Sequence, residues 1–165
     1  MAAADDIAKI IEQEQGLAFS RFDELVAFSI GQRVRERALE GGLKLVVDVR
    51  LWDRQMFYAS MPGTTGDNPH WVERKVNTVR RLLKSSYRVV LERTFEERVF
   101  PPQRALDAHD YALAGGAFPI VMAGLGPVGC VTISGLTERQ DHQIAVDAVC
   151  DELGIDRAGF TLADD

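Results

Sequence analysis

The stretch FPIVMAGLGPVGCVTIS, residues 118–134, decides the fold. Its centre, GLGPVG at 124–129, has the G-x-G-x-x-G spacing of a dinucleotide-binding turn. In such a site the glycines follow a strand and open a helix, whose N-terminus receives the pyrophosphate. Here FPIVMA before the glycines is strand-like, but so is VGCVTIS after them, rich in β-branched residues. Pro127 fixes a φ inside the motif and suits a turn. Too little chain follows Gly129 for repeated βαβ units. The stretch therefore reads as a β-hairpin, with the glycines shaping its turn.

Working outward, a helix starts after Thr137, where T-E-R-Q fits a capping box with Gln140 at the third helical position. His142, Val146, Val149 and Leu153 share one of its faces. The chain from Gly154 onward is expected to be a short, acidic, loosely ordered tail. Upstream, LKLVVDVRL (43–51) alternates with period two, and RQMFYAS (54–60) follows across Trp52-Asp53 as a second hairpin strand. Leu43, Leu45, Val47, Val49 and Leu51 form its apolar face. The other face, with Val46 and nearby Trp52, is not fully polar and implies cover by a partner.

Helices are predicted over 5–14, over 23–40 with Leu25, Phe28, Val34 and Leu39 as the apolar side, and over 70–84 with Val72, Val76, Val79 and Leu83. Shorter ones are expected over 86–96 and 105–114, around the break at Pro101-Pro102. The order helix, helix, hairpin, helices, hairpin, helix is that of an α+β domain: an antiparallel sheet with helices on one face. A single domain over 1–165, with its core at about 5–155, is expected.

The net charge of −6 argues against nucleic acid as a partner, which would need clustered cations. No apolar run approaches the length of a membrane span, so no membrane insertion is expected. Cys130 and Cys150 form no CxxC motif, and MAAADDIAKI carries acid where a secretory signal is basic. Both features suit a reducing cytoplasm.

YALAGGAFPI (111–120), GPVGCVTISGL (126–136) and the Asp141-His142 pair together resemble the haem-degrading-domain superfamily. That group includes HbpS-like and GlcG-like proteins and the C-terminal domain of some corrinoid adenosyltransferases. Trp71-x-x-x-Lys75 and Ser85-Ser86 match its single-domain cytoplasmic branch. The resemblance implies a profilin-like fold and assembly as a homo-oligomer. Some members bind haem, so haem or a corrinoid is an alternative ligand, and the degrading activity in the name does not transfer by itself.

The recognisable residues cluster at one end of the sheet and imply a small-molecule pocket. Its expected residues are Gly115, Gly116, Phe118, Ser134, Gly135, Leu136 and His142, with Trp71 and Lys75, near which a small anion could rest. Asp141 and His142 are the catalytic candidates as an acid/base pair, against a packed His142 bonded to the Ser134-Gly135 turn. No complete catalytic set is present, and the reading leans away from an enzyme. Asp107, His109 and Asp110 joined to Asp141-His142 would give a metal site, but no spacing fixes such geometry and none is assigned. Haem would need an axial ligand from His70, His109 or His142. Arg74, Lys75, Arg80, Arg81, Lys84 and Arg88 form a local basic excess, read as a solvated face or as a contact for an anionic ligand or an acidic neighbouring subunit.

Overall fold

A computed structural model describes residues 2–164. The elements run α1 (Ala2–Gly16), β1 (Ala18–Phe19), α2 (Glu24–Gly41), β2 (Val46–Leu51), β3 (Arg54–Ser60), α3 (Asp67–Leu82), α4 (Ser86–Glu92), β4 (Ala117–Met122), β5 (Gly126–Ser134) and α5 (Glu138–Leu153). Short 3₁₀ turns lie at Pro102–Arg104 and Arg157–Phe160. The protein is α+β, and its sheet has the order β1-β4-β5-β2-β3.

Both predicted hairpins form. β4 and β5 pair antiparallel across the glycine turn, with Met122 opposite Gly126, and β2 and β3 pair across Trp52-Asp53. Gly124 and Gly126 take φ of +75° and +102°, backbone that side chains disfavour, so the motif is a turn device and not a phosphate cradle. β5 then pairs antiparallel with β2, joining the hairpins at the centre. The sheet is not wholly antiparallel, because β1 adds a two-residue parallel edge to β4 that has no period long enough to read in sequence.

The helix cover is not confined to one face. Val47, Val49, Val131, Ile133, Phe118 and Ile120 pack under α2 and α5. On the reverse side Val46, Cys130 and Ala117 pack against Val72, Val76 and Val79 of α3. The second face of β2, expected to need a partner, is thus covered by the chain's own helix. Asp48 is fully buried there and is held by Arg50 through two bonds of 2.7 and 2.8 Å.

Several local expectations shift. α2 buries Ala27, Ile30, Gly31, Val34 and Ala38, leaving Leu25, Phe28 and Leu39 exposed. The cause is Phe57 of β3, which packs so closely on Gly31 that any side chain there would overlap its ring. Leu83, placed in the α3 stripe, is the exposed left-handed C-cap instead. α4 stops at Glu92, short of 96. Residues 105–114 are not helical, because their backbone is spent on α3: Ala112 N–H donates to the Arg74 carbonyl and Thr78 donates to the Ala112 carbonyl.

The tail is docked and not loose through Leu162, which is buried and donates its N–H to Gln143. Gln13 of α1 donates to the Phe160 carbonyl at 2.7 Å. Asp165, the last acid of that tail, lies outside the described residues. The Ser85-Ser86 pair ties elements together: Ser85 donates to Glu14 of α1, and Ser86 accepts the Ala117 N–H at the start of β4. No described helix is long and apolar enough to cross a membrane.

A candidate ligand-binding cleft

At one end of the sheet α3, the turn before β4 and the turn after β5 enclose a cleft of about 340 Å³. The first turns of α3 contribute Asp67, Asn68, Trp71 and Lys75. Ala114-Gly115 and Arg98 form a second wall, and Ser134, Gly135 and Leu136 a third. Glu138 and Asp141, from the first turn of α5, complete it. The predicted capping box is present at Thr137 and Gln140, and it fixes where α5 begins. Its N-terminal end, where the helix dipole favours negative charge, carries both carboxylates.

Lys75 forms the floor, with its side chain 5% exposed. Its Nζ donates to the Ile133 carbonyl at 2.9 Å and pairs with Asp141 Oδ2 at 3.3 Å. Asp141 Oδ1 in turn accepts the Leu136 N–H at 3.0 Å, so one carboxylate ties α3, α5 and the Ser134–Leu136 turn. Burial pushes the Lys75 ammonium below its ordinary range and the Asp141 carboxyl above its own. Desolvation is the larger cause for both, and their mutual attraction opposes it.

Gly116 stands directly behind the lysine. A side chain there would sit 2.8 Å from Nζ and collide with the Ile133 carbonyl, and its φ of +131° is disfavoured for other residues. The glycine pair therefore makes room for an ammonium group.

Trp71, Lys75, Gly115, Ser134, Gly135, Leu136 and Asp141 from the sequence reading all meet here, while Gly116 supports the floor from behind. Phe118 and His142 do not reach the cleft, being fully buried in the core. His142 Nε2 lies 2.7 Å from Gln13 Oε1, not on the Ser134-Gly135 turn. Gln13 uses its amide NH₂ on Phe160, so its oxygen accepts and His142 Nε2 donates. His142 Nδ1 is then a bare acceptor with no partner. Desolvation pushes the imidazole pKa down to about 3. Asp141 and His142 thus face opposite ways and form no acid/base pair.

Sequence reasoning missed Asp67, Asn68, Arg98, Ala114 and Glu138. Asp67 had a signal. It lies four residues before Trp71 and accepts that indole N–H at 3.1 Å, a contact visible once the helix is started early enough. Arg98, which pairs with Glu138, sits in irregular chain and had none.

The basic excess is divided. Arg88 pairs with Glu14 and Glu92, Lys84 pairs with Glu92, and Arg74 lies 4.5 Å over the Trp71 ring. Three carboxylates against two cations line the cleft, which disfavours the small anion expected beside Trp71. His109 stands on the surface with Asp110 and joins no site with His142. Among the described residues no group of three or more His, Cys, Asp or Glu side chains is placed to hold a metal.

This α+β fold, a sheet with helices on both faces, is shared with solved structures. The crystal structure of HbpS matches with a TM-score of 0.64 at 17% identity, over 82% of this chain and 92% of that one. A family model described as "Haem degrading protein HbpS-like" matches residues 22–150. The chain belongs to that HbpS-like family. Its relatives include UPF0303 proteins of Mesorhizobium japonicum, 53% identical over 99% of this chain and 98% of theirs, and of Brucella melitensis, 48% identical over 98% of each. The crystal structure of the Ybr137w protein matches with a TM-score of 0.82 at 25% identity, over 91% of this chain and 90% of that one. A structure titled as a PduOC:heme complex matches with a TM-score of 0.62 at 19% identity, over 81% and 94%.

Proposed function

We propose that the protein is a small-molecule-binding module that acts as a homo-oligomer, with its ligand seated on the Lys75–Asp141 floor. The observation that carries this is a buried ammonium–carboxylate pair that lines the floor of an open cleft. Asp67 and Glu138 each keep one carboxylate oxygen outside the bonds to Trp71, Gly115 and Arg98. The ligand this favours is small and polar, offers hydrogen-bond donors to those oxygens, and lays a flat face on Trp71. The role is binding and not turnover, because Lys75 and Asp141 are each committed to holding the other and the neighbouring turns.

The test uses the two tryptophans, Trp52 and Trp71. Trp52 donates to the Pro127 carbonyl away from the cleft. In a small-molecule screen by NMR, hits should shift the Trp71 indole resonance and leave Trp52 unmoved. Hits that shift Trp52 alone sink the proposal. Self-association is supported by the exposed Leu25 and Phe28 of α2 beside the edge strand β3. Leu25→Glu should lower the mass seen by light scattering, and a monomer in the unaltered protein argues against assembly.

The family description and the PduOC:heme neighbour raise haem as the alternative ligand. The internal histidine does not fit it: His142 is sealed, with Nε2 committed to Gln13. No histidine lines the cleft. A histidine ligand to haem would then be His70 or His109, both at the surface. A Soret band on adding haemin that survives His142→Gln and disappears in His70→Ala or His109→Ala would favour this reading. No spectral change at stoichiometric haemin removes it.

A further inference from the structure

A second pocket, of about 230 Å³, opens between the end of α3, α4 and the irregular chain before β4, and it shares no residue with the cleft. Leu82, Val89, Phe95 and Phe100 make its apolar walls. Three cations, Lys84, Arg93 and Arg104, stand around it with one acid, Glu92. That acid is already shared between Lys84 and Arg88, at 2.8 Å from each.

Arg93 donates from Nη1 to the Val90 carbonyl at 2.7 Å, which leaves its Nε buried without a hydrogen-bond partner. A buried cationic donor left unpaired is costly, so the site calls for an acceptor. Arg104 lies over the Phe100 ring, 5.6 Å from its centroid, and makes no ion pair among the described residues.

We infer that this pocket binds a small carboxylate with an apolar body. A guanidinium presents parallel donors that match a carboxylate, and the Leu82, Val89, Phe95 and Phe100 walls accept a ring or short branched chain. Benzoate, one ring bearing one carboxylate, is the simplest compound with both features.

The experiment titrates the full chain with sodium benzoate and, separately, with benzamide, its neutral isostere, by NMR and calorimetry. Benzoate should saturate and shift the amides around Arg93 and Phe100. Benzamide should bind roughly tenfold more weakly, and Arg93→Gln and Arg104→Gln should each weaken benzoate by a similar factor. Arg104 is on the exposed rim, so its variant keeps the test decisive if Arg93→Gln fails to fold. Arg21→Gln, which removes an exposed cation outside both pockets, should leave benzoate affinity unchanged. Equal binding of benzamide, a benzoate titration that never saturates, or an equal loss of binding in Arg21→Gln would overturn the inference. None of these results depends on whether the Lys75–Asp141 cleft holds a ligand.

Discussion

Asp141 and His142 are neighbours on α5, yet they live in different media. Asp141 turns toward the cleft, where Lys75 Nζ and the Leu136 N–H hold its carboxylate. His142 turns inward, between the rings of Tyr87 and Phe118, with centroids at 5.5 and 5.8 Å. Both are buried, but Asp141 faces an opposite charge in Lys75, whereas His142 feels the like charge of Arg139, which adds to desolvation in keeping the ring neutral. The carboxylate therefore belongs to a polar floor that a ligand can reach, and the imidazole is a neutral core residue that fastens α5 to α1. A helix separates the two roles by one step of its turn, which puts successive side chains on different faces.

The largest expected effect breaks the cleft side. Asp141→Ala leaves the Lys75 ammonium buried and unpaired, and should cost about 3–5 kcal/mol by urea denaturation. The double variant Lys75→Met, Asp141→Leu should recover most of that loss. A cost below about 1 kcal/mol would mean that the pair behaves as a solvated surface bridge.

On the core side, His142→Ala removes a packed ring and the Gln13 bond, and should cost about 2–4 kcal/mol. The Trp71 indole resonance should hardly move, since the cleft is untouched. A large shift there would show that the two sides are coupled.

Acid should separate the neighbours by sign. The folded His142 pKa of about 3 lies below its ordinary 6.5, so the unfolded chain takes up this proton first. Its contribution is complete above about pH 6.5 and is lost as pH falls toward 3, at up to about 1.4 kcal/mol per pH unit. His142→Gln should flatten that part of the stability profile. The raised Asp141 pKa works the other way: its contribution is present below the ordinary 3.8 and is lost as pH rises through the folded value. Asp141→Asn should therefore change the profile in the opposite direction. Identical profiles for both variants would erase the contrast.

The smallest effect concerns the thiols. Burial raises the Cys130 thiol well above its ordinary value and Cys150 to about 11. Neither should react with a thiol reagent at neutral pH until the protein unfolds. Labelling at the rate of a free thiol would show that the core opens easily.

What the sequence made legible was local. The capping box at Thr137 and Gln140, the turn at Trp52-Asp53 and the glycine turn of β4–β5 are each set within a few residues, and each is found in the structure. What it hid was long-range. The α2 face was misread because Leu25 and Phe28 outweigh Gly31 in any hydrophobic pattern, although Gly31 is where Phe57 lies closest. The 105–114 segment looked helical because nothing in it announces its bonds to Arg74 and Thr78 of α3. Within the cleft, Trp71 and Lys75 were found through helical spacing and resemblance. Asp141 was found but given the wrong partner, since Lys75 lies 66 residues away in sequence and His142 only one.

The most direct test of the cleft is native mass spectrometry of freshly purified protein beside the double variant Lys75→Met, Asp141→Leu and the His142→Gln variant. The expected result is a retained small molecule on the unaltered protein and on His142→Gln, absent from the double variant while its assembly stays intact. Retention at equal occupancy on the double variant, or loss on His142→Gln alone, would contradict a ligand seated on the Lys75–Asp141 floor.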